Sequence, residues 1–425
     1  MCEAKNLPKV LVISYSPFSK TVNNGKTLSS FFANYNRESI AQFCFSGGDR
    51  NEDICNNYFI LTNDDVLRKK IGSAYSACQI PVLPIDQAKK TGLKKVFWLF
   101  SQKRSPAAVY IKNYVWGTAD YSKAFDWIDQ FDPDVVFFQG FSMAYGYDFA
   151  LEVCKRRNIP MILELTDDYT HRLYPLSILE SVNQKRYMQV FAEAIGYASK
   201  TIVISQLMKE EYESRFGGDM AVMMNTVSTI HPVSPCERTQ NDYVYAGNLL
   251  LNRWKVLRNL GKALMQVNPQ AVLNIYTPDV PPRHILQALA KVSTIRYGGR
   301  LTKEELEHRL RKCEYVVHVE AFDKKNRKIT RLSMSTKISE YVASGAKVLA
   351  IGPSDVASMR CLEANRLGVC IHNPSVNHIS KALSCNVWSD DYSDNASAFL
   401  RSCASSNGEQ LKEIIANAIE QTQRK

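Results

Sequence analysis

Short apolar runs alternate with segments of helical spacing along most of the chain. The run KVLVISYSP at 9–17 is almost continuously apolar and ends in a turn, and TLSSFFANY at 27–35 follows it with apolar residues at helical spacing. Helices cover both faces of a parallel sheet, so a continuous apolar run is typical of its buried strands. The first 35 residues therefore predict one strand and one helix of a parallel α/β unit.

The same alternation recurs in both halves of the chain, and Thr302 three residues before Glu305 predicts a capping box at one helix start. Recurring βα units favour parallel sheets. The polar stretch 323–334 is predicted to be a loop. Further strands are predicted at 39–45, 134–140, 160–166, 200–205, 242–247, 271–276, 293–299, 314–322 and 346–351, and helices at 255–267, 284–291 and 409–421.

The segment TIHPVSPCERTQND at 229–242 interrupts this rhythm with polar residues and two prolines. A chain of 425 residues is longer than a single core usually supports, so two domains are expected. We predict an α/β protein with two doubly wound domains that face a central cleft, where such folds bind ligands. The predicted parts are a first domain at 1–230, a linker at 231–242, a second domain at 243–395 and a helical segment at 396–425.

The composition indicates the cellular compartment of the protein and the charge of its partner. The eleven cysteines are scattered without a C-x-x-C pair or a histidine cluster, which favours a reducing compartment and suggests no metal site. The first residues are too polar for a secretory signal peptide, and no apolar run reaches the length of a membrane span. We therefore expect a cytoplasmic protein. Its net charge of +11 favours an anionic partner.

The stretch STKISEYVASG at 335–345 leads into the apolar run AKVLAI and combines hydroxyls, a lysine and a glutamate. One interpretation is a helix capped by its hydroxyls, with Glu340 in solvent. The other is a phosphate site, because the start of a helix presents free N–H groups and the positive end of its dipole.

Three segments of the second half resemble the nucleotide-sugar domain of family 4-type glycosyltransferases with the GT-B architecture. They are YAGNLLLNRWKVLRNLGKAL at 245–264, VVHVEAFDKKN at 316–326 and STKISEYVASGAKVLAIGPSD at 335–355. The first half resembles this family more loosely, and bacterial enzymes of surface-polysaccharide assembly are the nearest in kind. The resemblance implies two Rossmann-like domains, with the acceptor on the first and a nucleoside-diphosphate sugar on the second. It also implies a retaining transfer to a glycan or lipid-linked acceptor, with no metal and no other cofactor.

The resemblance assigns catalytic roles in the second domain to Glu320, Arg253 and Lys255. Arg253 and Lys255 match the basic pair that stabilises the leaving diphosphate, a role that cations or aligned N–H groups must fill when no metal is present. Glu320 matches the first glutamate of the family's pair, because Leu332 stands at the strict spacing.

The resemblance assigns donor binding to a second group of residues. Glu340 matches the glutamate that binds the ribose hydroxyls, Gly247 matches the glycine turn after the first strand, and Asn248 stands where many relatives have an arginine. The remaining predicted donor contacts of this domain are Arg331, Ser335, Thr336 and Lys337.

The first domain offers fewer candidates. Gly25, in the turn NNGKT, is predicted to let the backbone approach the donor or the acceptor. The segment ELTDDY at 164–169 ends a predicted strand where relatives often carry a His-Asp pair. Here Asp167 and Asp168 occupy that place and His171 follows, so Asp168 is a predicted catalytic residue.

The segment 89–112 mixes lysines and arginine with bulky apolar residues and contains no acidic residue. This mixture suits an anionic membrane surface, and equally a helix with one core face. Two other functions stay open: a sugar-nucleotide 2-epimerase of the same architecture, and a basic nucleic-acid-binding protein. The absence of an RNA-binding or helix-turn-helix motif argues against nucleic acid.

Overall fold

We describe the protein from a computed structural model, which covers residues 7–20, 23–67, 73–76, 105–171, 176–224, 238–385 and 391–424. The chain forms two compact units. The first comprises residues 1–204, 209–223 and 407–425, and the second comprises residues 205–208 and 224–406. Most of the basic segment predicted at 89–112 lies outside the described residues.

The sheet of the first unit has the strand order β4-β3-β2-β1-β5-β6-β7-β8. Its strands are parallel except β4, which pairs antiparallel with β3 at the edge. The chain starts at β1 in the middle and continues outward on both sides, which is the doubly wound pattern. The strands are β1 Val10–Ser14, β2 Ile40–Cys44, β3 Asn57–Ile60, β4 Ser73–Ser76, β5 Val135–Gln139, β6 Met161–Leu165, β7 Lys200–Val203 and β8 Met220–Val222.

Helices cover this sheet because their apolar faces complete its core. On one face, Phe31 and Phe32 pack with Val12 and Phe137 of the strands. The opposite face carries an aromatic cluster, in which Phe43 contacts Phe149 with ring centroids 4.3 Å apart. The helices along this part of the chain are α1 Asn23–Phe31, α2 Asn63–Leu67, α3 Pro106–Gly117, α4 Ser122–Phe131, α5 Ala144–Arg157, α6 Ile178–Tyr197 and α7 Gln206–Phe216, with a 3-10 turn at Arg37–Ser39.

The sheet of the second unit is entirely parallel and has the order β11-β10-β9-β12-β13-β14. This is the strand order of dinucleotide-binding folds, and it reverses between β9 and β12. The strands are β9 Thr239–Ala246, β10 Val272–Tyr276, β11 Ile295–Gly299, β12 Cys313–Val319, β13 Lys347–Ile351 and β14 Val369–Ile371.

The capping box predicted at Thr302 is confirmed, because its side chain accepts from Glu305 N–H and the Glu305 carboxylate accepts from Thr302 N–H. The loop prediction at 323–334 is wrong in part, since Asp323 caps a short helix there through Asn326 N–H. The helices of this part of the chain are α8 Arg253–Val267, α9 Arg283–Ala290, α10 Lys303–Lys312, α11 Lys324–Thr330, α12 Lys337–Ala343, α13 Ala357–Ala364, α14 Val376–Ser384 and α15 Tyr392–Gln423.

The segment boundaries differ from the predicted ones at two places. Strand β9 begins at Thr239, inside the predicted linker 231–242. Helix α15 begins at Tyr392; Phe399 and Leu400 join a core cluster of the second unit, whereas Leu411 and Ile415 join the core of the first. Both sheets confirm the predicted doubly wound α/β class.

Candidate functional site

The site lies at the carboxyl ends of β9 and β12 in the second unit. These two strands are neighbours, and the strand order reverses between them. The loops that follow two such strands lead to opposite faces of the sheet and leave a crevice between them, where open α/β sheets bind their ligands. Gly247 follows β9 directly and Glu320 follows β12 directly, so the topology places both predicted residues at this crevice.

Glu320 and Arg253 form an ion pair at this edge. The Arg253 Nη2 donates to Glu320 Oε2 at 3.1 Å, and His318 Nε2 lies 3.1 Å from Glu320 Oε1 without making a directed hydrogen bond. Burial alone would raise the pKa of Glu320, but His318 and Arg253 lower it to about 2. Glu320 is therefore an ionised carboxylate at neutral pH, although its side chain is only 3% exposed.

A second contact joins the same two loops. Leu251 and Asn252 adopt left-handed backbone conformations, which turn the chain from β9 into α8. Asn252 Nδ2 then donates to the Asp323 carboxylate at 3.0 Å. Desolvation raises the pKa of Asp323, but this bond is among the contacts that lower it below its usual value. The loops after β9 and β12 are thus held together at two points, which gives the crevice a defined geometry.

Helix α12 docks onto the end of β9 through two side chains that lie one turn apart. The carbonyl of Ala246 accepts from Lys337 Nζ at 2.5 Å and from the Tyr341 hydroxyl at 2.9 Å. A Cβ built at Gly247 would lie 3.5 Å from Lys337 Nζ and 2.8 Å from the Tyr245 hydroxyl, so a larger residue would crowd this junction. The predicted residues Gly247 and Lys337 are therefore neighbours, and Lys337 brings a second cation to the site.

The Thr336 hydroxyl does not cap α12 as predicted, and the donor contacts predicted for Ser335 and Thr336 stay predictions. Thr336 is the N-cap residue, but it has a helical backbone and its side chain makes no capping hydrogen bond. Ser335 N–H donates to Ser358 Oγ at 3.2 Å, and the Arg331 carbonyl accepts from Ala357 N–H at 2.8 Å, so this loop is attached to helix α13. Glu340 is half-buried in the first turn of α12, next to Tyr341.

Two predicted residues lie apart from this group. Lys255 is exposed, and its Nζ lies over the Trp254 ring, 5.7 Å from the centroid. The Asn248 side chain is exposed and accepts from Leu250 N–H, while its carbonyl accepts from the Tyr245 hydroxyl at 2.6 Å. The structure therefore brings Arg253, Glu320 and Lys337 to one edge and turns Lys255 toward solvent.

In the first unit, the Asp168 carboxylate already accepts hydrogen bonds from neighbouring residues of the protein. Its Oδ1 accepts from Thr170 N–H at 2.9 Å, from the Thr170 hydroxyl and from the Tyr212 hydroxyl at 2.8 Å, and His171 Nε2 lies 3.0 Å from Oδ2. Burial raises its pKa, but His171 and Thr170 outweigh burial and hold it well below its usual value. This ionised carboxylate fixes the turn after β6.

Gly25 is required by packing. It lies in helix α1, and a Cβ there would lie 2.4 Å from the Pro17 carbonyl oxygen and 2.8 Å from Ser19 Cβ. Only glycine allows α1 to approach the loop that follows β1 this closely. The predicted contact of Gly25 with donor or acceptor stays a prediction.

Sequence reasoning missed two buried polar residues of the first unit, Gln139 and Glu164. Each is 2% exposed and stands at or near the end of a strand, and the two pair in register on β5 and β6. The available signal was a single polar letter near the end of each apolar run, in DVVFFQG and PMILELT. Burial raises the pKa of Glu164 to about 8 against the opposing effect of Gln139, and Asp167 adds to the rise.

Within the described residues, no three His, Cys, Asp or Glu side chains are grouped as metal ligands would be. Among the helices that the structure describes, none is both long and apolar enough to cross a membrane.

No protein-family model matches the chain, and no curated protein matches it. Solved structures do match it over nearly its whole length. An α,α-trehalose-phosphate synthase (UDP-forming) from Burkholderia xenovorans aligns with a TM-score of 0.59 at 8% identity, covering 97% of this chain and 100% of the other. WaaG, a glycosyltransferase involved in lipopolysaccharide biosynthesis, aligns with a TM-score of 0.55 at 12% identity, covering 96% and 99%.

A Listeria monocytogenes structure named as a UDP-N-acetylglucosamine 2-epimerase also matches. Its TM-score is 0.53 at 12% identity, and the alignment covers 97% of each chain. At these identities the likeness establishes the fold. The chain thus has the two-domain, Rossmann-like fold of GT-B glycosyltransferases, and the predicted fold class is confirmed.

Proposed function

We propose that this protein is a glycosyltransferase that moves a sugar from a nucleoside-diphosphate sugar to a glycan or lipid-linked acceptor. The observation that carries the proposal is the group of Arg253, Glu320 and Lys337 at the carboxyl ends of β9 and β12, where the strand order reverses. Two cations and one ionised carboxylate meet there. The GT-B neighbours support a glycosyltransferase over other enzymes with parallel sheets.

The two cations suit a leaving diphosphate. Breaking the bond between sugar and phosphate adds negative charge to the diphosphate, and preorganised cations stabilise that charge without a metal. Arg253 Nε has no hydrogen-bond partner among the described residues, so the guanidinium keeps a donor for an anion while Glu320 orients it. We assign diphosphate stabilisation to Arg253 and Lys337, and orientation of Arg253 to Glu320.

The remaining donor contacts follow from position. Glu340 lies one turn beyond Lys337 on α12, where its carboxylate suits the ribose hydroxyls of the nucleoside through charge-assisted hydrogen bonds. Gly247 keeps the end of β9 free of a side chain. We further propose a retaining and metal-independent transfer in polysaccharide assembly, for which full activity in the presence of excess EDTA is the expected result.

We also propose that the first unit contacts an anionic membrane, which carries the lipid-linked acceptor. Helix α3 continues the basic segment 89–112 and exposes Tyr110 and Tyr114, and Ile178 of α6 is 82% exposed. Helices α3 and α6 pack together, since Asn183 Nδ2 donates to the Pro106 carbonyl at 2.8 Å. Their exposed apolar residues suit shallow insertion among lipid head groups.

Binding to vesicles tests the membrane contact. Replacing Tyr110, Tyr114 and Ile178 by serine is expected to reduce co-sedimentation with vesicles of anionic phospholipid. The matched control is Val280→Ser, which changes an 84% exposed residue of the second unit. Equal sedimentation of both variants and the parent would contradict the membrane proposal.

A panel of nucleotide sugars tests the main proposal. The protein is incubated with uridine, guanosine, adenosine and thymidine diphosphate sugars, and products are separated by chromatography. Slow release of a nucleoside diphosphate, or transfer to an added glycan, is the expected result. The matching nucleoside diphosphate should raise the melting temperature, by mass action on the folded state. Neither release nor stabilisation by any of them would refute the proposal.

A sugar-nucleotide 2-epimerase is the second candidate. The pairing of His171 with Asp168, 3.0 Å apart, favours it, because an imidazole held by a carboxylate suits proton transfer. The same panel separates the two functions, since an epimerase interconverts the sugar and needs no acceptor.

A further inference from the structure

A cavity opens in the first unit between helix α15 and the amino-terminal ends of two strands. Its volume is about 270 Å³, just below the range of about 300–1,000 Å³ that holds drug-sized ligands. Ser199 and Asp219, the residues before β7 and β8, line one side, and residues 410–421 of α15 line the other. The cavity therefore lies at the edge of the sheet opposite to the carboxyl edge, where such folds bind their substrates.

One wall of the cavity is a polar face of α15. The polar side chains of this wall are those of Gln410, Glu413, Asn417 and Gln421. Their spacing of three or four positions places them on one face of the helix. None of the four has a hydrogen bond or an ion pair with another residue that the structure describes. Three amides and one carboxylate thus line the cavity with donors and acceptors that are open to a ligand.

The opposite wall and the floor have a different character. Lys200 Nζ donates to the Asp219 carboxylate, so these two charges neutralise each other. The floor is apolar, because Ala221, Ile414 and Ala418 line the cavity and pack with the core of the first unit. The cavity therefore combines a small apolar floor with walls that offer hydrogen bonds.

This combination disfavours charged ligands. An anion would meet the carboxylate of Glu413, while Lys200 is already paired with Asp219. A metal ion needs several oxygen ligands, and the described residues contain no group of three acidic, histidine or cysteine side chains that could hold one. An organic cation has no acceptor for the N–H groups of the three amides.

A neutral ligand with several hydroxyl groups fits the cavity best. Each hydroxyl both donates and accepts, so it pairs with an amide as well as with the Glu413 carboxylate. A purely apolar ligand would leave these polar groups unpaired, which is unfavourable. A sugar ring presents C–H groups on its faces and hydroxyls around its edge, which suits an apolar floor between polar walls.

We propose that this cavity is a second carbohydrate-binding site, which holds one sugar residue of a neutral oligosaccharide. The choice of an oligosaccharide rests on the proposed function, in which the acceptor and its product carry a glycan. Binding a distant part of that glycan keeps the acceptor attached to the enzyme, and so raises its effective concentration.

Saturation-transfer NMR tests this site with maltotriose, cellotriose and N-acetylchitotriose as probes. We expect the parent protein to bind at least one of these oligosaccharides. The double variant Asn417→Ala with Gln421→Ala should bind it about tenfold more weakly, the combined effect of two hydrogen bonds. Both residues are exposed and alanine favours a helix, so this variant should keep its melting temperature.

Gln423→Ala is the matched control, because Gln423 is an exposed amide of the same helix that does not line the cavity. It should bind the oligosaccharide as tightly as the parent does. Spermidine serves as the cationic probe and a heparin disaccharide as the anionic one. Unchanged oligosaccharide binding in the double variant, an equal loss in Gln423→Ala, or binding of a charged probe alone would overturn the proposal.

Stabilisation by a nucleoside diphosphate, measured on the same samples, reports on the second unit. If the parent is stabilised by a nucleotide but binds none of the oligosaccharides, the carbohydrate site is wrong and the glycosyltransferase stands. If it binds an oligosaccharide but no nucleotide, the glycosyltransferase is wrong and the carbohydrate site stands.

Discussion

The two units bury one glutamate each at the carboxyl edge of a parallel sheet, and the two carboxyls are in opposite states. Glu164 is 2% and Glu320 3% exposed, so desolvation opposes the charge of both. Burial raises the pKa of Glu164 to about 8, whereas the pKa of Glu320 falls to about 2. At neutral pH the first is a neutral acid and the second is an anion.

The neighbours explain this difference. Glu320 lies beside His318 and accepts a hydrogen bond from Arg253, and these two neighbours stabilise the anion more than burial disfavours it. Glu164 meets the amide of Gln139 and the negative charge of Asp167, which leave the effect of burial dominant. A buried carboxyl therefore takes its charge state from its partners, and burial alone does not determine it.

The largest effect is expected from Arg253→Met. Removing one member of a buried ion pair leaves the other charge uncompensated, which costs about 3–5 kcal/mol. We expect a loss of this order in the free energy of unfolding, measured by urea denaturation, together with loss of nucleoside diphosphate binding, measured by calorimetry. Unchanged nucleotide affinity would restrict Arg253 to a structural role.

Arg309→Met is the matched control for that experiment. Arg309 donates twice to the buried carboxylate of Asp242, which lies in the amino-terminal half of β9. This variant should lose comparable stability and still bind nucleotide. The double variant Arg253→Met with Glu320→Gln removes both charges, and it should recover stability without recovering nucleotide binding.

The second prediction concerns pH. Between about pH 4.5 and about pH 8 the folded first unit keeps a proton on Glu164 that the unfolded chain has released. The free energy of unfolding should therefore fall with rising pH, by up to about 1.4 kcal/mol per pH unit from this group. Glu164→Gln should remove that dependence in urea titrations across this range.

Glu320 is the opposite case and serves as the comparison. The contribution of Glu320 to the free energy of unfolding is fully present above about pH 4.5 and is lost as the pH falls toward about 2. The reason is that folding lowers the pKa of this carboxyl. Glu320→Gln should therefore remove the acid limb, and it should also lower the free energy of unfolding at neutral pH, because Arg253 loses its partner. An alkaline limb that Glu164→Gln leaves unchanged would show that Glu164 is ionised in the folded protein.

The third prediction separates the cations of the second unit. Lys337→Met should weaken nucleoside diphosphate binding by about 1.5–3 kcal/mol, the value of a hydrogen bond to a charged group. Lys255 is exposed beside Trp254, so Lys255→Met should cost about 0.5 kcal/mol or less. Calorimetric titration of both variants measures the difference. Equal losses of nucleoside diphosphate affinity in the two variants would show that Lys255 also belongs to the binding site.

Among the predicted donor contacts, the smallest effect is expected from Glu340→Ala, at about 1.5 kcal/mol for one charge-assisted hydrogen bond. If Glu340 contacts the ribose, the variant should bind a nucleoside diphosphate more weakly and inorganic pyrophosphate as tightly as the parent. Lys337→Met should weaken both ligands. If Glu340→Ala weakened the binding of pyrophosphate as much as that of the nucleoside diphosphate, the assignment of Glu340 to the ribose would be wrong.

The alternation of apolar and polar residues determined the strands at the centre of each sheet. Continuous runs such as 9–17 and 160–166 became β1 and β6, because a buried strand needs apolar residues on both faces. The short outer strands β4, β8 and β14 carried too few residues for a pattern to stand out. Helix α11 was not predicted because its residues are mostly polar. Asp323, which caps this helix, is the one residue that could have indicated its start.

For the site, the sequence by itself determined which residues lie at the ends of strands, and therefore that Gly247 and Glu320 share one edge of a sheet. Only the tertiary structure decided their partners. Arg253 meets Glu320 across 67 positions of sequence, and Gln139 meets Glu164 through strand register. Apolar periodicity predicts which face of a helix or strand is buried, but it does not predict which polar side chains contact each other on that face. The charge of a buried carboxyl depends on those contacts, so only the tertiary structure determines it.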